Sequence, residues 1–192
     1  MSQPARVLSD GDVRRTLVLA SRGPSPKRDE VMVLLSLRAG LRACEIAGLS
    51  WSMVLRPDGR LADQIQVAGN IAKNGRGRLI PMHPDLRCTL QTLHRHAGKP
   101  LTGPVIKSQR GSHMRPRSIV NWFAQFYTVA GLEGCSSHSG RRTFITRAAR
   151  LLSKSGGSLR DIQELAGHRA LSTTERYIEG DRDAQRRLIR LL

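Results

Sequence analysis

Residues 138–177 read HSGRRTFITRAARLLSKSGGSLRDIQELAGHRALSTTERY, and this stretch decides the fold. Its apolar spacing predicts three helices, over about 138–152, 159–166 and 172–179. His138 and Arg141 stand three residues apart at the start of the first helix, so they share one face, whereas Arg142 is predicted to point elsewhere. An imidazole and a guanidinium at the end of a rigid helix can converge on one phosphate, although His138 alone also suits an ordinary structural role.

The second and third predicted helices bring a histidine and a tyrosine near each other in sequence. Gly167 ends one helix directly before His168, and the Ser-Thr-Thr run 172–174 opens the helix that is predicted to contain Tyr177. Tyr177 lies among polar residues, a setting that a core tyrosine would avoid. Tyr127 lies instead in an aromatic-rich segment that is typical of a protein core.

Toward the N-terminus the chain combines helical and extended patterns. Further helices are predicted over about 10–20, 28–38, 43–48, 85–96 and 116–130, the first of them capped by Asp10 or Asp12. The alternating segment 64–67 and the segment 78–80 are separated by glycine-containing turn signals, which indicates two paired strands. The sequence therefore predicts a mainly α fold with a small antiparallel β-sheet.

Two cationic residues of this region lie at turns. Arg42 directly follows Gly40-Leu41, and Glu45, three residues later, is placed to hold either the helix start or the arginine itself. Lys73 lies in the predicted hairpin 71–81 and is the only lysine between Lys27 and Lys99. An ammonium can release a proton and a guanidinium cannot, so a lone lysine here could act as an acid. Judged alone, the residue is better interpreted as a solvated turn lysine.

The charge of the chain favours a polyanionic partner. Lysine and arginine number 32 against 15 acidic residues, for a formal net charge of +17. Because the arginines are spread along the whole chain and are not gathered in one amphipathic helix, the pattern indicates nucleic acid and disfavours a membrane surface. Nucleic acid is therefore the expected partner.

The cysteines and the chain's apolar runs exclude other classes of protein. Cys44, Cys88 and Cys135 are far apart and lack the C-x-x-C spacing of zinc or redox sites, so they are expected to be reduced, and no cofactor or metal site is predicted. No apolar run reaches signal-peptide or membrane-spanning length, which predicts a cytoplasmic protein.

In order and spacing these motifs resemble the tyrosine recombinase (phage integrase) family, over about residues 10–190. The family pattern is Gly-Leu-Arg with an acidic residue three positions on, a hairpin lysine, His-x-x-Arg, Gly-His and a tyrosine. The matching residues are Arg42 with Glu45, Lys73, His138 with Arg141, His168 and Tyr177. Gly140 and Ala166 stand where the family usually has leucine, which is expected to affect packing more than chemistry. The resemblance implies the catalytic-domain fold of DNA breaking-rejoining enzymes.

What the resemblance implies chemically is a metal-independent transfer of a DNA strand. The phenolate of Tyr177 would attack a DNA phosphate, leaving a 3′-phosphotyrosyl link and a free 5′-hydroxyl, and the conserved bond energy would make a nucleotide cofactor unnecessary. Arg42 and Arg141 would bind the charge that develops on the non-bridging oxygens, with forked hydrogen bonds that take the place of a metal ion.

The resemblance also gives roles to the remaining residues. His138 would act as general base toward the tyrosine, and Lys73 would protonate the 5′-oxygen as it leaves, a task for which arginine is too weak an acid. His168 would orient the phosphate or pack against the tyrosine helix, and Glu45 would support Arg42 from behind.

The expected organisation is a single catalytic domain over 1–180, followed by an amphipathic helix over 181–192 that packs either in cis or in trans. No N-terminal core-binding domain is expected in this chain. The family resemblance implies that the partner is double-stranded DNA. It also implies that the protein assembles on this DNA as a homo-oligomer, in a tetrameric synapse. Two alternatives to a site-specific recombinase are a non-catalytic DNA-binding remnant of a mobile element and an enzyme similar to type IB topoisomerases.

Overall fold

The computed structural model describes residues 5–73, 75–108, 110–177 and 189. The helices in this part of the chain are α1 (Asp10–Ala20), α2 (Pro26–Arg38), α3 (Ala43–Gly48), α4 (Pro84–His96), α5 (Pro116–Val129), α6 (Ser139–Ser155), α7 (Leu159–Ala166) and α8 (Leu171–Glu175). Strands β1 (Gln64–Val67) and β2 (Arg78–Pro81) pair antiparallel, with Val67 opposite Arg78. The mainly α fold with a small antiparallel sheet is thereby confirmed.

Most predicted boundaries agree with the structure, but two predictions were wrong. Ser9, and neither Asp10 nor Asp12, caps α1, because its hydroxyl accepts from the Asp12 amide while the Asp12 carboxylate accepts from the Ser9 amide. The helix that was predicted over 172–179 ends at Glu175, so Tyr177 lies in the turn that follows α8.

A large core fills the space between α1–α5 and the two strands, with buried apolar residues from Leu8 to Leu132. Its centre is α2, whose residues from Val31 to Leu37 are all buried, because α1, α4 and α6 pack around it. A helix that is apolar on every side is stable only when it is surrounded in this way. The large core therefore fixes α3 and the strands, which carry the N-terminal half of the site.

A separate small cluster is formed by Ile145 of α6 with Ile162 and Ala166 of α7. Partly buried apolar groups, the Tyr177 ring among them, pack around these three side chains. The small cluster joins α6, α7 and the turn after α8 into one unit.

Gly140 allows α6 to approach α2 closely. A Cβ atom at this position would collide with the side chain of Ser36, which is fully buried in α2. The leucine usual in the family would therefore not fit at this helix contact. The expectation that this departure affects packing more than chemistry stays a prediction.

Among the described residues, no helix is long and apolar enough to cross a membrane. The three cysteines are free, as expected. The predicted tail helix over 181–192 lies outside the described residues, apart from Ile189.

Candidate active site

The ends of several elements meet at one place, and they bring most of the predicted site residues together. Arg42 lies at the start of α3, His138 and Arg141 at the start of α6, and His168 directly after α7, while Tyr177 packs beside His168. Residues that are up to 135 positions apart in the chain therefore surround one polar centre.

The turn before α3 depends on a glycine. Gly40 has a φ of +61°, and the ring of Phe144 from α6 lies directly against it, so a side chain would be both strained and blocked. Arg42 then starts the helix, and its amide and Nη1 donate to the two Glu45 carboxylate oxygens at 2.9 and 3.0 Å. Glu45 thus holds both the helix start and the arginine, which the sequence had offered as alternatives.

Glu45 is fully buried beneath the site. Burial alone would raise its pKa, but hydrogen bonds and charge from Arg78, aided by Arg42, outweigh this effect and lower the pKa below its usual value. The carboxylate is therefore ionised at neutral pH and fixes two guanidiniums in place.

Arg78 is a residue that the sequence analysis did not assign to the site. It donates two hydrogen bonds to Glu45, at 2.9 and 2.8 Å, and its side chain is only 7% exposed. A signal was available, because Arg78 stands two positions before the buried Ile80 in a strand and so faces the same side of the sheet. Its partners, however, lie on other elements.

Arg141 is the most deeply buried of the arginines in the site, at 3% exposure. Its Nη1 donates to the Gly40 carbonyl at 2.6 Å, and its Nη2 donates to the Ala166 carbonyl and lies 3.0 Å from Nε2 of His168. Burial and the charge of Arg42 lower the pKa of Arg141 to about 10, so it remains cationic at neutral pH.

The C-terminal end of α7 rests on three guanidiniums. Arg78, Arg141 and Arg42 donate to the successive carbonyls of residues 165, 166 and 167. These carbonyls are the negative end of the helix dipole, which cations stabilise. Three arginines against the one carboxylate of Glu45 leave an excess of positive charge beside His168.

His168 stacks on Tyr177, with ring centroids 5.6 Å apart and an interplanar angle of 23°. Burial and the nearby charges of Arg141, Arg42 and Arg78 lower the pKa of His168 to about 4. The imidazole is therefore neutral at neutral pH.

Tyr177 rests on the small cluster, with its ring half-buried. The guanidinium carbon of Arg142 lies 5.8 Å from the centre of this ring, so the prediction that Arg142 points elsewhere was wrong. Tyr127, in contrast, is 1% exposed in the large core, and burial raises its pKa, as its aromatic setting had indicated.

His138 and Lys73 occupy the outer side of the site. His138 immediately precedes α6, and burial, followed by the charges of Arg141, Lys73 and Arg42, lowers its pKa, so the ring is neutral at neutral pH and can accept a proton. Lys73 is exposed in the turn between β1 and β2, and its charge reaches His138. The lysine is near the centre without being packed into it.

Comparison with known proteins places the chain in a family. Residues 6–183 match the model of the phage integrase family. The tyrosine recombinase XerC of Bradyrhizobium diazoefficiens is 33% identical over 170 residues, which cover 87% of this chain and 48% of the relative. XerC of Nitrobacter winogradskyi is 34% identical over 78% of this chain and 45% of the relative. The chain thus spans about half the length of these curated relatives.

Solved structures show the same fold. XerA recombinase superposes with a TM-score of 0.75 at 22% identity, covering 97% of this chain and 63% of that one. The Tn1549 transposon integrase, solved in complex with a circular intermediate DNA, also gives a TM-score of 0.75, at 17% identity, and covers all of this chain and 67% of that one. The chain therefore belongs to the phage integrase family, the tyrosine recombinases.

Proposed function

We propose that this chain is the catalytic domain of a site-specific DNA recombinase that cleaves and rejoins DNA through Tyr177. The observation that carries the proposal is the convergence of Arg42, Arg141 and His168 beside a half-buried tyrosine, with an excess of positive charge. A tyrosine that served only packing would not need buried cations next to its ring. A phosphodiester that enters this centre would meet its charge and a nucleophile together.

The proposed reaction is an exchange of one phosphodiester for another. The Tyr177 oxygen forms a bond to the phosphorus, the bond to the 5′-oxygen breaks, and a 3′-phosphotyrosyl link and a 5′-hydroxyl result. The number of phosphodiester bonds is unchanged, so the attack of a 5′-hydroxyl from another strand restores DNA and frees the tyrosine. No cofactor is part of this proposal.

The two arginines are proposed to bind the non-bridging oxygens. Three of the five N–H groups of Arg141 are engaged by Gly40, Ala166 and His168 within the described part of the chain. The guanidinium is therefore already oriented, and its charge is available to a phosphate without a large rearrangement. Metal-independence is proposed on this ground, since the side chains themselves supply the positive charge.

The proton transfers are proposed for the two groups on the outer side of the site. His138, neutral at neutral pH, accepts the phenolic proton of Tyr177. Lys73 donates a proton to the departing 5′-oxygen from its exposed turn, where a side chain can follow the DNA strand.

Double-stranded DNA is the proposed substrate, and the net charge of +17 suits it. The relative from Tn1549 was solved with DNA, which supports this proposal.

Residues 1–180 are proposed to act as one catalytic domain. We also propose that the protein assembles on DNA as a homo-oligomer, a tetramer by family resemblance. The curated relatives are about twice as long as this chain, so complete recombination is proposed only for the homo-oligomer assembled on DNA. A cytoplasmic location stays a prediction.

The experiment is a covalent trapping assay with EDTA present. The probe is a pool of duplexes with one 5′-bridging phosphorothiolate flanked by randomised sequence, because the sulfur leaves without protonation and the released thiol rejoins poorly. We expect a protein–DNA adduct that survives a denaturing gel and disappears after protease treatment. A shift on native gels with no adduct would instead identify a DNA-binding remnant, and an adduct that needs added magnesium would contradict the proposed charge chemistry.

A further inference from the structure

Thr174 is fully buried in α8, and its hydroxyl faces the site. Its Oγ1 lies 3.0 Å from Nδ1 of His168. The other ring nitrogen of His168, Nε2, lies 3.0 Å from Nη2 of Arg141. A polar atom therefore lies beside each ring nitrogen of His168, one on α6 and the other on α8.

The contact with Arg141 determines which ring nitrogen carries the proton, and the contact with Thr174 provides an acceptor for that proton. A guanidinium can only donate hydrogen bonds, so Nε2 of His168 accepts from Arg141 and carries no proton. The single proton of the neutral ring then lies on Nδ1, which donates to the Thr174 hydroxyl. The lowered pKa of His168 agrees with a neutral ring at this place.

Thr174 also contacts Tyr177 through its backbone. Its carbonyl accepts a hydrogen bond from the Tyr177 amide at 3.0 Å, in the turn that follows α8. One residue therefore contacts the imidazole through its side chain and the tyrosine through its backbone. Valine has nearly the same shape and would fill the same buried space, but it would leave the Nδ1 proton of His168 without this acceptor.

We propose that Thr174 is a positioning residue, whose hydroxyl holds His168 in the tautomer with the proton on Nδ1 and so keeps Nε2 directed at Arg141. The effect of Thr174 on DNA cleavage rests on the proposed function. The tautomer of His168 does not rest on it, because the tautomer is a property of the protein without DNA.

The first test is NMR spectroscopy of the full chain, ¹⁵N-labelled and free of DNA, at neutral pH. Long-range ¹H–¹⁵N correlations distinguish a protonated ring nitrogen from an unprotonated one. We expect the wild-type His168 ring to be protonated at Nδ1, Thr174→Val to lose this preference, and Thr174→Ser to restore it. A wild-type ring protonated at Nε2, or a Thr174→Val spectrum equal to that of the wild type, would overturn the proposal.

The second test measures the rate of adduct formation with the phosphorothiolate pool. Thr174→Val should react about tenfold more slowly, the effect of one lost orienting hydrogen bond, and Thr174→Ser should react nearly as fast as the wild type. Thr16→Val is the matched control, since Thr16 is equally buried and, among the described residues, its hydroxyl donates to the Asp12 carbonyl in α1, away from the site. It should change neither the tautomer nor the rate.

The two tests separate the possible failures. If the wild type forms no adduct, the proposed function fails, and the NMR result still decides the role of Thr174. If Thr174→Val changes the tautomer but reacts as fast as the wild type, Thr174 does not position the site for cleavage. If Thr174→Val slows the reaction no more than Thr16→Val does, the effect is one of general stability and the proposal is wrong.

Discussion

The large core and the small cluster hold different halves of the site. The large core extends over α1–α5 and both strands, and it carries Arg42, Glu45 and Arg78. The small cluster consists of Ile145, Ile162 and Ala166 with the partly buried groups around them, and it carries the Tyr177 ring. Segments that bury little apolar surface open at a lower free energy than those in a main core. We therefore expect the charged half to be the more rigid one, and the proposed nucleophile to lie on the part that opens more easily.

Arginines are among the groups that join the two halves. Arg78, Arg141 and Arg42 hold the last carbonyls of α7, and the Phe144 ring packs against Gly40. Two of these guanidiniums, those of Arg42 and Arg141, are the groups proposed to bind phosphate. The same arginines thus supply charge to the site and hold its two halves together. Substituting them should therefore affect both catalysis and the position of the small cluster.

Arg141→Ala is expected to give the largest effect, a loss of about 10³-fold in the rate of adduct formation. It removes a cation from the site and, at the same time, the bonds to Gly40, Ala166 and His168. Arg150→Ala is the control, because Arg150 is exposed on the same helix and its loss changes the net charge equally. A rate for Arg141→Ala within tenfold of the wild type would show that the arginine is only structural.

Glu45→Gln should cost about 3–5 kcal/mol of unfolding free energy, measured by urea denaturation. The substitution leaves Arg78 buried with no carboxylate partner, and an unpaired buried charge is strongly destabilising. Asp58→Asn, at an exposed ion pair with Arg60, should change stability by less than about 1 kcal/mol. A similarly small change for Glu45→Gln would contradict the view that the large core is built around a charged centre.

A pair of cavity-forming substitutions compares the two halves directly. Ile162→Ala in the small cluster and Leu86→Ala in the large core both remove fully buried side chains, and each is expected to cost about 2–4 kcal/mol where it acts. Hydrogen exchange should accelerate only in α6 and α7 for Ile162→Ala, but throughout the chain for Leu86→Ala. Uniform acceleration in both variants would mean that the protein opens as one unit.

The smallest expected effect concerns pH. The pKa of His168 is lowered to about 4 in the folded protein from an ordinary value near 6.5, and that of His138 is lowered as well. The unfolded chain therefore binds more protons between about pH 6.5 and 4, so stability should fall as the pH falls through this range. His168→Gln should reduce this slope in urea titrations at several pH values. An unchanged slope would mean that the imidazole is not held neutral in the folded protein.

How much the sequence could predict depended on how local each interaction is. The helices and strands follow from short-range spacing, whereas the site roles of His-x-x-Arg and Gly-His follow from the family resemblance. Arg78 could be suspected from its inward position in β2, but its partners lie on elements that only the tertiary fold brings near. The contact of Thr174 with His168 is closer in sequence, but it depends on how α8 packs against α7. The end of α8 before Tyr177 was also missed, since the backbone turn there accompanies packing on the small cluster.

The central claim is that Tyr177 is the residue that becomes bonded to DNA, and mass spectrometry of the trapped adduct tests it most directly. After digestion with protease and nuclease, the account predicts a 3′-phosphonucleotide on the peptide that contains Tyr177, no adduct from Tyr177→Phe, and an unchanged adduct from Tyr127→Phe. Attachment to any other residue, or an adduct of equal yield from Tyr177→Phe, would contradict the account.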